Sequence, residues 1–190
     1  MGWLLDSFDV MLYALVLATL MADLDMSAAV GGSLASLTLA ASAVGGVLFG
    51  VFADRFGRVR ALVWSVLIYS VFTAACGLAQ SVRQLAVFRV FLGIGMGGEW
   101  ASGAALVSET WPAEHRGKAL GLVQSSWAIG YAAAAVVTAL VLPTFGWRAV
   151  FFVGILPALF TVWVRRSVDE PEVWRARARD GATGRFSEVF

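Results

Sequence analysis

The sequence predicts an all-α membrane protein of six transmembrane helices. Three observations carry that prediction. Hydrophobic residues make up 59% of the 190-residue chain and charged residues 14%, against roughly 25% charged in a soluble domain. The apolar residues fall into six runs, each near the roughly 20 residues that span the hydrocarbon core, and the mean hydropathy is +0.79. Eleven of the fourteen Lys and Arg residues lie on one side of the resulting arrangement.

The first run covers about residues 2–22. It has no basic stretch before it and contains two aspartates, so it reads as a span and not as a cleavable signal. It begins abruptly, with Trp3 already in apolar sequence, which suggests a short or missing N-terminal segment. The second run covers about 28–53, the third 61–79, the fourth 85–107, the fifth 119–142 and the sixth 147–164. A polar, Arg-rich tail follows to Phe190, where the chain stops in mid-segment. The domain reading is a six-helix bundle over 1–166 and the start of a central loop over 167–190.

Arg55, Arg58 and Arg60 follow the second run, Arg116 and Lys118 the fourth, and Arg165, Arg166, Arg175, Arg177, Arg179 and Arg185 the sixth. Only Arg83 and Arg148 lie on the other side, and Arg89 lies within a run. Basic loops mark the cytoplasmic side, so both termini are expected there, in a multi-pass protein of the cell membrane. The other loops, 23–27, 80–84 and 143–146, are too short to fold separately. Function is therefore expected between the helices or in the basic-side turns.

Several classes fall away on composition. A net charge of +1 does not argue for a nucleic-acid partner. The single cysteine, Cys76, permits no disulfide within the chain. The runs contain no histidine, and Ser125 and Ser126 have no base near them in sequence, which leaves an intramembrane enzyme without a nucleophile system. No cofactor or metal is expected, and His115 reads as solvated in a polar loop.

Chemistry is concentrated in a few segments. In Gly50-Val-Phe-Ala-Asp54-Arg55-Phe-Gly57-Arg58, Gly50 allows close helix approach and Gly57 permits a sharp turn with positive φ. Asp54 at a helix C-terminus opposes the macrodipole. It therefore wants a donor, either a basic residue or the N-terminus of a neighbouring helix. In the fourth run, Arg89 and Glu99 are ten residues apart in apolar sequence, about 15 Å along a helix. Charge inside a membrane costs at least about 2.5 kcal/mol and marks either a functional site or a buried ion pair. In the first run, Asp6 and Asp9 share a helix face at i, i+3. Two carboxylates that close do not readily both stay ionised, the behaviour a proton-coupling group needs. The plainer reading places them at a helix start in the headgroup region. In the fifth run, Gln124, Trp127 and Tyr131 share a face and either line a pocket or join helices by hydrogen bonds. Tail residues 168–179 read as an interfacial amphipathic helix carrying Val173 and Trp174, or as a linker.

The Asp54 segment resembles the signature loop of the major facilitator superfamily, with Gly50, Asp54, Arg55, Gly57 and Arg58 matching and Val59 at a position that is often basic. The run Arg89-x-x-x-Gly93-x-Gly95-x-Gly97-Gly98-Glu99-Trp100 is similar to metabolite:proton symporters of the sialate and monocarboxylate type. So is the Asp6-x-Phe-Asp9 pattern. Glu109-x-x-Pro112-x-x-x-Arg116-Gly117 resembles the element after the fourth helix in that family. The resemblance implies the N-terminal half of a twelve-helix fold, made of two inverted three-helix repeats. It implies a cytoplasmic gate of Gly50, Asp54, Arg55, Gly57, Arg58, Glu109 and Arg116, with Asp54 bracing a helix of the other half. It implies substrate and proton coupling at Asp6, Asp9, Arg89, Glu99, Gln124, Trp127 and Tyr131. The implied activity is proton-coupled symport of a small carboxylate such as lactate, pyruvate or sialate, driven by the proton gradient. The implied partners are the lipid bilayer, the anionic substrate and a missing C-terminal half, or else a second copy. A sugar or drug carrier and a non-transporting membrane sensor are the alternatives. The tail stretch Asp169-Glu170-Pro171-Glu172-Val173-Trp174 resembles sugar and organic-acid porters alike.

Overall fold

The computed structural model describes residues 2–156, 158, 159, 163, 167, 169–171, 174 and 175. The elements are α1 (Gly2–Asp23), α2 (Ala28–Phe56), α3 (Arg58–Cys76), α4 (Val82–Thr110), a 3-10 turn (Ala113–His115) and α5 (Arg116–Val153). Five helices are long and apolar enough to cross a membrane. Start signals are conventional: Ser27 and Ser81 cap α2 and α4, their hydroxyls accepting from the amides of Val30 and Gln84, each at 3.3 Å.

The helices extend past the apolar runs into polar sequence. Between α2 and α3 the whole turn is one residue, Gly57, at φ 116°. Only glycine adopts that backbone without strain.

The fifth run and the start of the sixth are two helices that meet at a kink inside the stretch Arg116–Val153, with no loop between them. The stretch breaks at Gly146, at φ 76° and ψ 176°, three residues after Pro143. There the chain reverses. Arg148 Nη1 pairs with Asp23 at the end of α1 at 2.8 Å, and Gly154 lies against Thr73, back along α3. By Glu170 the chain has returned to the basic end, where it meets the start of α3. Much of the stretch between Gly154 and Glu170 lies outside the described residues. The fifth of the long helices counted among the described residues is two that join at Gly146, so the count agrees with the six runs read from the sequence.

Packing follows a repeat. α4 packs against α2 and α3, and α1 packs against α5. Exchanging the first three helices for the next three turns the α2–α4 contact into α5–α1. It likewise turns α3–α4 into the contact of the segment after Gly146 with α1. Trp147, Val150 and Phe151 do share a core with Leu12, Val16 and Leu20. Two three-helix repeats in inverted topology account for this pattern.

The closest seam lies between α2 and α4. A Cβ added at Gly45 would overlap the backbone of Ile94. One at Gly93 would overlap the Thr38 carbonyl, and one at Gly97 the Ser42 carbonyl. Gly130 stands likewise to the Leu4 carbonyl in the α1–α5 seam. Without hydrophobic drive between helices in lipid, backbone approach at small residues supplies the packing. Gly50 does not serve this way. A Cβ there meets nothing within 4 Å, so its expected role in close helix approach is not seen among the described residues.

Candidate functional site

The buried ionisable residues fall into two groups. Asp9 on α1 is 3% exposed, and its Oδ1 accepts a 2.7 Å hydrogen bond from Thr73 on α3. Arg89 on α4 is also 3% exposed. Its Nε donates to Thr38 Oγ1 on α2 at 2.9 Å, and its guanidinium lies 3.7 Å above the Tyr13 ring. Tyr13 is fixed in turn by its hydroxyl donating to the Gly31 carbonyl at 2.8 Å. Arg89 attracts Asp9 across the seam without forming an ion pair within 4 Å among the described residues. Its Nη1 is buried and has no described partner.

The second group is Asp6 on α1 and Glu99 on α4, both buried and close enough to act on one another electrostatically. The Asp6 oxygens and Glu99 Oε2 find no donor in hydrogen-bonding geometry among the described residues. The sequence pairs Asp6 with Asp9 through helix spacing, but tertiary packing makes Glu99 the nearer partner of Asp6. Asp9 is drawn off by Thr73 and Arg89. Both aspartates are buried within the bundle and are not exposed at an open helix start.

Beside these groups runs an open apolar cleft of about 780 Å³, lined by residues of α1, α2, α4 and α5, including Val10, Ser42, Gly97, Trp100 and Trp127. Ser7 donates to the Trp127 carbonyl at 2.7 Å and so ties α1 to α5. Trp3 touches Trp100 and meets Trp127 edge-on at 6.2 Å between ring centroids. Of the three fifth-run residues, Trp127 lines the cleft, whereas Gln124 and Tyr131 are exposed along α5. Trp3 and Trp100 join the candidate site by position; Trp100 stands in the symporter-like motif with no role assigned, and Trp3 stands in no motif. Their signal was faint, since aromatic residues in apolar runs are common; the adjacency of Trp100 to Glu99 was the usable clue.

The basic end carries an ion network. Arg58 spans it, pairing with Asp54 across the Gly57 turn. It also donates to Glu109 on α4 from Nε at 3.2 and 3.3 Å and from Nη2 at 2.9 Å. Asp54 therefore takes the basic donor. The α3 N-terminus is taken by Glu170, whose two carboxylate oxygens accept from the amides of Val59 and Arg60, each at 3.1 Å. Trp174 Nε1 donates to the Asp54 carbonyl at 2.9 Å. Of the tail expected to form an interfacial helix, Glu170 and Trp174 contact the bundle, and residues 172, 173 and 176–179 lie outside the described residues. Two expected gate members are not joined to the ion network: Arg116 caps α4 by donating to the Trp111 carbonyl at 3.0 Å, and Arg55 lies over the Phe56 ring. Arg116 opens α5, and its guanidinium turns back onto the carbonyl at the C-cap of α4.

Two predictions follow from this end. Arg58→Lys is expected to cost about 2 kcal/mol, because a point charge cannot bridge Asp54 and Glu109 as the guanidinium fork does. Thermal unfolding of the solubilised protein measures it; an unchanged melting temperature would contradict the bridging role. Gly57→Ala is expected to cost about 2–3 kcal/mol from the backbone alone. An added Cβ also overlaps the Glu170 carboxylate, so the cost of Gly57→Ala should shrink in a Glu170→Ala background. Additive losses would show that the two residues do not meet.

A sequence model of the Major Facilitator Superfamily matches residues 2–190. A cis,cis-muconate transport protein of Acinetobacter baylyi is 38% identical over 90% of this chain and 42% of its own length. A sialic acid transporter of Escherichia coli is 34% identical over 100% of this chain and 47% of its own length. The inward-open xylose transporter of Escherichia coli has the same fold, at a TM-score of 0.80 and 24% identity, over 94% of this chain and 48% of that one. The chain thus spans less than half the length of each.

Proposed function

This chain belongs to the major facilitator superfamily, and we propose that it is the N-terminal half of a carrier that moves a small carboxylate together with a proton. The observation that carries the reading is Arg89: a buried guanidinium, held by Thr38 and Tyr13, with Nη1 uncommitted among the described residues. A buried guanidinium nitrogen without an acceptor is costly, and a carboxylate arriving at Nη1 would offset that cost with a charge-assisted hydrogen bond. The acids named for the muconate and sialic acid relatives support this substrate class.

In this reading the cleft, with Trp127 and Trp100 on its wall and Gln124 and Tyr131 along its α5 edge, is half of the substrate path. The other half comes from six further helices. The buried carboxylates Asp6, Asp9 and Glu99 supply proton coupling, with no cofactor beyond the proton gradient. Asp54, Gly57, Arg58 and Glu109 form the gate at the basic end, which faces the cytoplasm of a cell whose plasma membrane holds the protein. Gly50, Arg55 and Arg116 flank that gate.

The test is uptake by the full-length protein in proteoliposomes with an imposed inward proton gradient. Lactate, pyruvate, sialate, muconate and aromatic acids are offered beside neutral sugars. At least one acid is expected to accumulate, and to stop doing so when the gradient is collapsed. Accumulation of a sugar with no acid moved would overturn the reading.

A further inference from the structure

We propose that the outer face of α2 and α3, at the basic end, holds one anionic phospholipid, with its phosphate on Arg60 and its acyl chains on either side of Trp64. The site depends on the chain spanning a membrane and not on what the carrier moves.

Two hollows meet at one tryptophan. The first, of about 400 Å³, borders α3, where Val59, Val63 and Leu67 line it beside Arg60 and Trp64. The second, of about 450 Å³, lies between α2 and α3, with Leu48, Phe49 and Phe52 facing Trp64 and Ile68. Trp64 is common to both and 56% exposed, so its indole stands as a ridge between them. Arg60 is exposed and is the one charged residue lining either hollow among the described residues. It forms no ion pair among them.

The order of these residues along α3 matches the order of parts in a phospholipid. Arg60, Trp64 and Ile68 follow at i, i+4, i+8 and so share one helix face. Each step rises about 6 Å. Arg60 is the third residue of α3, beside the basic turn. The indole comes one step deeper, at the level where headgroups give way to hydrocarbon and tryptophan is favoured. Beyond it the lining is apolar on both helices. On α2 the rings of Phe49, Phe52 and Phe56 follow in series, at 5.9 and 4.7 Å between centroids. The Arg55 guanidinium lies 5.6 Å over the last of them, which brings a second cation to the headgroup end of the same wall.

The charges nearby decide the class of lipid. Glu170 already takes the Val59 and Arg60 amides, so the α3 N-terminus is occupied, and Asp54 is paired with Arg58. The Arg60 side chain, with Arg55 near it in sequence, is left without an acidic partner among the described residues. A guanidinium matches two phosphate oxygens with two parallel hydrogen bonds. Any bilayer lipid covers the apolar hollows, but a zwitterionic headgroup brings its own ammonium to the phosphate. An anionic headgroup leaves the negative charge to Arg60, as basic pockets between spanning helices do elsewhere.

The test is native mass spectrometry of the full-length protein, freed of lipid in detergent and titrated with phosphatidylglycerol or phosphatidylcholine of identical chains. The wild type is expected to bind phosphatidylglycerol at least about fivefold more tightly, roughly what one cation near a headgroup contributes. Arg60→Gln should cut that preference about fivefold. Arg83→Gln, which removes an exposed cation from the opposite end, should leave it unchanged. Trp64→Ala should weaken both lipids alike, because the ridge that the chains straddle is gone. Equal binding of the two lipids by the wild type would mean an adventitious annular lipid only. That result overturns the site. So does a preference untouched by Arg60→Gln, one reduced equally by Arg83→Gln, or wild-type binding of both lipids by Trp64→Ala.

Discussion

Arg89→Gln in the full-length protein is expected to lower kcat/KM for carboxylate uptake about a hundredfold, the equivalent of losing one charged hydrogen bond of about 1.5–3 kcal/mol. The side chain is held from two helices, by Thr38 Oγ1 and by the Tyr13 ring, so its direction is fixed before any ligand arrives. A fixed donor loses little entropy on binding, and its removal is felt almost in full. Arg89→Lys should fall between: it keeps the charge that balances Asp9 but cannot hold Thr38 and offer a second nitrogen at once. Initial-rate uptake of labelled acid over a concentration series gives the measurement. A loss below fivefold in Arg89→Gln would show that the uncommitted Nη1 is not where the acid binds. Stability should be followed in parallel, because Asp9 loses its counter-charge in the same variant.

Gly97→Val is expected to have the largest structural effect, about 3 kcal/mol or more of lost stability. At this position an added carbon runs into the Ser42 carbonyl and the Gly46 amide, which are backbone and cannot move aside as a side chain would. α2 and α4 must separate, and the Arg89–Thr38 contact between the same helices is lost with them. Gly50→Ala gives the contrast. That position has open space for a Cβ and sits inside a helix, where alanine is favoured over glycine by up to about 1 kcal/mol. Melting of the solubilised protein should separate the two by about ten degrees or more, or by loss of folded material. Equal effects would mean that the α2–α4 seam is looser than its backbone contacts indicate.

The contrast between those two glycines shows what sequence reading reaches. Both stand in recognisable patterns, and only the neighbours distinguish them. The turn at Gly57 was legible because positive φ is a local property of one residue. The break at Gly146 was half legible: a proline and a glycine marked an end, but not that the chain would reverse without a loop. Glu170 was not legible as a cap at all, since its partners at Val59 and Arg60 lie more than a hundred residues away.

The site divides in the same manner. That Arg89, Glu99, Asp6 and Asp9 are candidates followed from one number, the cost of a charge in hydrocarbon, which applies wherever the neighbours are. Which carboxylate faces which partner did not follow, because spacing along α1 favours Asp6 with Asp9, and only the approach of α3 and α4 places Thr73 and Arg89 on one and Glu99 on the other.

By itself, then, the sequence determined the membrane-spanning helices, their expected orientation and the identity of the buried charges. These depend on transfer free energies and loop charge that each residue carries alone. The tertiary structure decided the pairing of those charges, the seams where backbones touch and the capping of α3 by the tail. Each of these depends on distances between helices that no local rule sets.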